Sequence, residues 1–368
     1  MTLPTILFAG GGTGGHIFPN VAICQRLKEM HVAFEAHFLV SDRPLDAEIM
    51  QREMLRFTPL PMHSLSMNPL RWSAFARTWF ASKKRVRQRI AGRQVAALVA
   101  TGGFVAGPAV VAAKRARVEV ALVNLDAVPG KANRWMARHA DGLFGVYGSR
   151  QMAGAVQVGL PLRRSAVWKA DAGEARRVLG LDPEKETLLI VGGSQGARSL
   201  NRMMVELLKR EPIAMTISSN RWQVLHIRGS GADENLQTGY DVCGICAKVV
   251  PFIESMGIAW GAASFAISRA GAGSVAEAWT NATPTIFLPY PMHADEHQRL
   301  NAQPMVDEGG AILLSDQIDP VANADQISDP LITWIEDTPQ RNERTEQLRS
   351  TTPPDGAAVI AGWLADRV

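Results

Sequence analysis

The sequence is short of cysteine, of long uninterrupted hydrophobic runs and, over one stretch, of acid. Three cysteines in 368 residues cannot build a disulfide framework, which points to a reducing compartment. The start, MTLPTILFAGGG, has no basic region ahead of its apolar run, so no secretory leader is expected. Val95 to Ala113 carries no charge, but Gly102-Gly103 and Gly107-Pro108 interrupt it. It reads as strand, Gly-rich loop and helix rather than as the ~20 apolar helical residues of a membrane span. Asp-x-Asp occurs nowhere, so a site built around a metal-bound diphosphate is not expected. Metal-ligand patterns are incomplete. Cys243 and Cys246 form C-x-x-C without a second pair, leaving a redox dithiol or two ordinary thiols. His293 to His297 fits H-x-x-E-H without a third ligand.

The missing acid is the most localised absence. Between Asn68 and Arg93 stand Arg71, Arg77, Lys83, Lys84, Arg85, Arg87, Arg89 and Arg93, and no Asp or Glu. Those are eight of the 39 basic residues, so the remaining chain holds 31 against 35 acidic ones. The formal net charge of +4 therefore resides in one segment. Read as a helix over Leu70–Ile90, it puts Trp72, Phe75, Ala76, Trp79 and Phe80 on one face. Aromatics beside basic residues suit an anionic membrane surface, where each basic residue contributes about 1 kcal/mol. A core-packed helix with a solvated face is the plainer reading. No nucleic-acid module accompanies the segment, so no nucleic acid is expected.

What is present is alternation. Thr5–Ala9, Ala36–Val40, Ala96–Ala100, Val118–Val123 and Leu143–Val146 read as buried strands; Pro19–Met30 and Lys131–Arg138 read as helices among them. The pattern restarts with strands at Thr187–Val191, Trp222–Ile227, Phe265–Ser268 and Thr285–Leu288, and helices at Arg198–Lys209, Gly273–Asn281 and His297–Glu308. The class is α/β with two doubly wound, Rossmann-like parallel-sheet domains. The boundaries fall at 1–162 and 163–353, with a last helix at about 354–368 packing back on the first domain.

Each half has a strand running into a Gly-rich turn that opens a helix. Glycines let backbone approach a phosphate, and a helix N-terminus offers free N–H groups and positive charge. The first turn is Gly10 to His16 and the second Gly192 to Ala197; a third, Gly271 to Glu277, follows strand Phe265–Ser268. Gly10, Gly12 and Gly15 alone fit the dinucleotide fingerprint, and Asp42 stands where a ribose-binding acid would, so a nicotinamide-dependent dehydrogenase is a rival reading. His16 closes the first turn. It is placed to accept a proton or hold a sugar hydroxyl, or to cap the turn with no chemistry. In the third turn Ser274 suits a diphosphate and Glu277 a ribose.

Taken together, the motifs resemble the MurG family, the bacterial glycosyltransferases that form lipid II. The resemblance rests on GGTGGHIFP at 11–19, GGFVAGP at 102–108, NRW at 133–135, GLPLR at 159–163, GGSQGARSLN at 192–201, PFIESM at 251–256, SRAGAGSVAE at 268–277 and HQRLNA at 297–302. It implies a GT-B fold with the two domains facing a central cleft. It implies inverting transfer of GlcNAc from UDP-GlcNAc to the undecaprenyl-linked acceptor lipid I, in peptidoglycan synthesis. By this resemblance the backbone of Ile253 reads uracil, while Ser194 and Arg163 contact the nucleotide sugar. Ala272, Gly273, Ser274, Val275 and Ala276 hold the diphosphate, Glu277 the ribose, and Gln298, beside His297, the GlcNAc hydroxyls. Thr13, Gly14, Gly15 and His16 face donor sugar and acceptor, with His16 as general base and Asp126 as the second candidate. Trp72, Phe75, Trp79, Phe80, Lys83, Lys84, Arg85, Arg87 and Arg89 become a membrane patch on the cytoplasmic face of the inner membrane. No cofactor or metal is implied; other cell-wall synthesis proteins are implied partners. Two departures stand out. Asp126 replaces a sugar-binding Asn, which keeps an acceptor and loses a donor, and Gly159-Leu160-Pro161 replaces Gly-Asn-Pro. A related enzyme for another lipid acceptor is the nearer alternative.

Overall fold

The computed structural model describes all residues except 1–2, 13, 64–71, 149–151, 194–195, 219–220, 230–234 and 293–295. The chain divides into two compact units, one of residues 1–163 with 354–368 and one of 164–353.

The first unit is built from β1 (Thr5–Gly10), α1 (Gly14–Glu29), β2 (Glu35–Ser41), α2 (Pro44–Arg52), β3 (Phe57–Leu60), α3 (Trp72–Ile90), β4 (Val95–Gly102), α4 (Ala106–Arg115), β5 (Glu119–Asn124), α5 (Lys131–Ala137), β6 (Gly142–Gly145) and β7 (Val156–Gln157). Its seven strands lie in the order β3-β2-β1-β4-β5-β6-β7, and every neighbouring pair is parallel. Side chains alternate across the sheet. Ile6 and Phe8 pack with α1 on one face, while Leu7 and Ala9 join residues of α4 on the other. Burial on both faces explains why these strands read as continuous apolar runs.

The second unit runs through α6 (Ala172–Val178), β8 (Glu186–Val191), α7 (Arg198–Leu208), α8 (Glu211–Ser218), β9 (Trp222–Ile227), α9 (Leu236–Val242), β10 (Ala247–Val250), α10 (Met256–Ala262), β11 (Phe265–Ser268), α11 (Ala272–Thr280), β12 (Thr285–Phe287), α12 (His297–Asp307), β13 (Ala311–Leu313), α13 (Pro320–Glu336) and α14 (Thr338–Ser350). Six parallel strands follow the order β10-β9-β8-β11-β12-β13. Leu188 and Ile190 face one core, Leu189 and Val191 the other. Both sheets therefore repeat the doubly wound order, with a switch of direction between β1 and β4 and between β8 and β11. Ligands of such sheets bind at the carboxyl ends of the strands at that switch.

The chain then returns to the first unit as α15 (Gly356–Ala365). Asp355 caps α15 by accepting from the N–H groups of Ala357 and Ala358. It also accepts from Arg26 Nε at 2.6 Å, while Arg26 Nη2 donates to the Leu162 carbonyl. Gly356 lies so close to the Gly159 carbonyl that a Cβ would collide with it.

Two sequence expectations shift. Helix α1 begins at Gly14 rather than Pro19, so Gly14, Gly15 and His16 form its first turn. The helix in the basic segment is described from Trp72 to Ile90, and its aromatics do not act as one face. Trp79 is half-buried against Trp135 of α5, with ring centroids 6.2 Å apart, and its ring leaves no room for a Cβ at Gly107 of α4. Phe75 leans on Trp79, whereas Trp72 and Phe80 are 55% and 62% exposed.

Candidate functional site

Each unit presents a site at its switch point. In the first, the turn after β1 interlocks with the turn after β4. The His16 Nδ1 lies 2.9 Å from the Thr101 carbonyl, and Thr101 Oγ1 donates back to the His16 carbonyl at 2.6 Å. Asn20 Nδ2 donates to Thr101 Oγ1. A carbonyl oxygen only accepts, so Nδ1 carries the proton and Nε2 of the neutral ring is left as the basic nitrogen. Gly102 has φ +104°, and a Cβ there would crowd the His16 ring, so only glycine suits the position.

Helix α2 fixes the same turn from below. Asp46 is fully buried and accepts from the Gly12 N–H at 2.7 Å, the Ser41 N–H at 3.0 Å and the Ser41 hydroxyl at 2.6 Å. Arg43 Nη1 donates to the Gly12 carbonyl at 2.7 Å. Both backbone groups of Gly12 are thereby committed, and the N–H groups of the first turn of α1 have no partner within the helix.

At the end of β5, Asn124 Nδ2 donates to the Asp126 carbonyl, and Asn133 Nδ2 donates to Asn124 Oδ1. Asp126 is half-buried in the loop before α5. Burial first, and then the charge of Asp126, pushes the Tyr147 hydroxyl well above the usual phenol range. Arg163 also groups with the first unit. Its Nη1 donates to Glu53 Oε1 at 2.6 Å, and its guanidinium sits 3.7 Å over the Phe18 ring. A nucleotide contact by Arg163 would compete with that pair.

In the second unit a cavity of about 470 Å³ is lined from both Gly-rich turns. Gly192, Gly193 and Gly196 come from the turn after β8, Gly271 and Ser274 from the start of α11, and Gln298 from α12. Gly271 is the N-cap of α11, so the N–H groups of Ala272, Gly273 and Ser274 have no partner within the helix. Val275 differs from the expectation for it: its N–H bonds the Gly271 carbonyl at 3.0 Å and its side chain is buried in the core. Ala276 lies one residue deeper in the helix and is half-buried. Glu277, half-buried, accepts from Trp260 Nε1 at 2.9 Å, which fixes its carboxylate one turn in from the N-terminus. The Gln298 carbonyl oxygen accepts from the Tyr290 N–H at 2.9 Å, which frees the amide NH₂ to donate. Ile253 is half-buried beside the core in the loop between β10 and α10.

The same cavity exposes a network that the motifs did not reveal. Arg269 Nη2 pairs with Asp316 Oδ2 at 2.6 Å and donates to Ser199 Oγ, and Ser199 Oγ donates to Asp316 Oδ2. Asn323 Nδ2 and the Ile318 N–H donate to Asp316 Oδ1. Burial alone would raise the Asp316 carboxyl. The Asn323 hydrogen bond, the Arg269 charge and the donors Ser199 and Ile318 outweigh it and hold the group below the usual carboxylate range. Arg269 sits inside the SRAGAGS motif, but its partner is 47 residues away, which no local pattern signals.

Thr13, Ser194, His293 and Asp295 lie outside the described residues. His297 opens α12 after Glu296, which holds φ +47°. Among the described residues no three His, Cys, Asp or Glu side chains cluster as metal ligands, and no helix is long and apolar enough to cross a membrane.

Comparison with known proteins separates the rival readings. Residues 6–144 match the glycosyltransferase family 28 N-terminal domain, and residues 187–351 match its C-terminal domain. The chain belongs to glycosyltransferase family 28. Family 28 relatives include a UDP-N-acetylglucosamine–N-acetylmuramyl-(pentapeptide) pyrophosphoryl-undecaprenol N-acetylglucosamine transferase of Nocardioides, 34% identical over 84% of each chain. Transferases of the same name from Clavibacter sepedonicus and Alkalilimnicola ehrlichii are each 33% identical over 98% of this chain, and over 96% and 98% of their own lengths. Among solved structures, Acinetobacter baumannii MurG shares the fold with a TM-score of 0.74, 21% identity and 99% coverage of both chains. A UDP-glucosyltransferase from Polygonum tinctorium aligns at a TM-score of 0.68, with 16% identity and 99% and 98% coverage. The protein is thus a GT-B glycosyltransferase of family 28. The dehydrogenase reading is corrected: Asp42 does stand just after β2, but a family match in both units leaves no place for it.

Proposed function

We propose that this family 28 enzyme transfers GlcNAc from UDP-GlcNAc to the 4-hydroxyl of the MurNAc unit of lipid I, giving lipid II. One observation carries the donor half: the second-unit cavity gathers two Gly-rich turns, the open N-terminus of α11 and the Gln298 amide in one place. The acceptor is supported by relatives, matched over nearly the whole chain, whose name is that of the lipid I transferase. In the reaction the acceptor oxygen attacks the anomeric carbon as the bond to the diphosphate oxygen breaks. The hydroxyl proton passes to His16 Nε2, and the leaving electron pair is stabilised by the N–H groups of Ala272, Gly273 and Ser274 and by the helix dipole. A single displacement inverts the anomeric configuration. No metal is assigned a step.

The reading also places the enzyme at the cytoplasmic face of the inner membrane, bound peripherally through α3 and working beside other cell-wall synthesis proteins. The second reading, transfer to another lipid acceptor, is favoured by Asp126 in the position of a sugar-binding Asn. One assay separates them: labelled UDP-GlcNAc and lipid I in detergent should yield labelled lipid II. A protein that binds UDP but transfers nothing to lipid I would retain the donor assignment and lose the acceptor.

A further inference from the structure

Arg89, in the last turn of α3, does not point where Phe80 points. Arg89 is nine residues beyond Phe80, so it lies about 180° around the helix from it. There it lines an open cavity of about 430 Å³ with Arg56, Arg93, Glu35, His37 and Thr5. Thr5, Glu35 and Phe57 are the first residues of β1, β2 and β3, and all three line the cavity. It therefore opens at the amino ends of these strands. His16 belongs to the other end of β1, about 17 Å away at ~3.3 Å per strand residue. A neighbouring cavity of about 500 Å³ shares Arg89 and Arg93 and adds Arg85, Thr58 and Pro59.

The charge lining the first cavity is unbalanced. Arg56 has Glu35 at 3.9 Å, with both side chains largely exposed. Among the described residues no carboxylate pairs with Arg85, Arg89 or Arg93; Arg85 and Arg93 instead donate to the carbonyls of Pro59 and Arg89. His37 stands at the wall with Nε2 2.8 Å from Thr58 Oγ1. Three guanidiniums and one carboxylate around one concavity leave a net positive well. Guanidiniums present paired N–H donors that match phosphate oxygens.

The geometry points to a further ligand site in this enzyme, at the amino ends of β1–β3, that binds a phosphate-bearing anion through Arg56, Arg89 and Arg93 beside His37. The chemistry is shared by a free phosphate compound and by an anionic lipid headgroup, and the test has an arm for each. His37 is the reporter. Burial, then the charges of Arg89, Arg93 and Arg56, hold its imidazole down at about 4. An anion seated among those arginines cancels part of their field.

The experiment follows the His37 ring by NMR in the full chain, with UDP saturating the second unit so that its diphosphate site is filled. One arm adds inorganic pyrophosphate. The other adds phosphatidylglycerol vesicles, with phosphatidylcholine vesicles as control. In at least one arm the His37 pKa should rise by roughly one pH unit or more, as expected for an anion within about 5 Å. The double substitution Arg56→Gln/Arg93→Gln, at two exposed positions, should abolish that response while leaving the melting temperature in place. Response to pyrophosphate assigns the site to a free phosphate compound; response to phosphatidylglycerol alone assigns it to a lipid headgroup. No response in either arm, or a response that survives the double substitution, overturns the site and returns Arg56, Arg89 and Arg93 to solvated surface charges.

Discussion

At the residue scale, the chemistry depends on groups held by partners distant in sequence. His16 was legible because it closes a Gly-rich turn; the Thr101 carbonyl that fixes its tautomer was not, since 85 residues separate them. His16→Ala should cut turnover at least ~100-fold while UDP still binds, the loss expected for a general base. A near-native rate would remove it from that role. Glu277→Ala should mainly raise the donor KM, by about 10-fold or more, for a lost hydrogen bond to a charged group; an unchanged KM contradicts the ribose contact. Asp46 escaped notice as one acid in an ordinary amphipathic stretch, yet it accepts three hydrogen bonds in a fully buried position. Asp46→Ala leaves the Gly12 and Ser41 donors without that acceptor and should cost about 3 kcal/mol in urea unfolding. A loss below about 1 kcal/mol would mean that water replaces the carboxylate.

At the scale of elements, α3 shows what a wheel diagram omits. Periodicity placed five aromatic and small residues on one face, but could not say that α4 and α5 already occupy part of it. Trp79 packs on Trp135 and against Gly107; Phe80 points away. Trp79→Ala should therefore destabilise the protein by about 2 kcal/mol, less than a fully buried Trp because it is half-exposed. Phe80→Ala should leave the melting temperature unchanged and weaken binding to anionic vesicles, as should neutralising Lys84 and Arg87. Equal vesicle binding by Phe80→Ala would make the outer side of α3 a solvated face. The central strands were legible because parallel strands buried on both faces are continuous apolar runs. The missed ones are short or peripheral: β7 has two residues and β13 three, too few for any period to register.

At the scale of the molecule, two histidines, one completely buried and one half-buried, set the response to acid. His226 is completely buried on β9. Its Nδ1 accepts from the Tyr240 hydroxyl at 2.9 Å, and its Nε2 donates to Asn201 Oδ1 at 3.1 Å, which defines a neutral ring. Burial lowers its pKa to about 3, and His37 is lowered to about 4. The unfolded chain, with histidines near 6.5, then binds more protons than the folded one below that pH. Stability is complete above pH 6.5 and falls as pH drops toward 4, with a limiting slope of about 1.4 kcal/mol per pH unit for each group. The carboxylate of Asp316, lowered in the fold, adds a further loss only below about pH 4. Urea midpoints at pH 7, 6, 5 and 4.5 measure this; a flat profile would mean that the two rings accept protons without cost. The two-sheet architecture was readable from the repeated strand–turn–helix pattern, whereas the His226 part of the acid response arises from pairings across β9, α7 and α9 that no single segment encodes. The return of α15 to the first unit has a consequence for synthesis. Ile360 and Leu364 complete the core around α1, yet they are made only after all of residues 164–353. The core face of α1 that α15 covers therefore stays open until the whole second unit has left the ribosome.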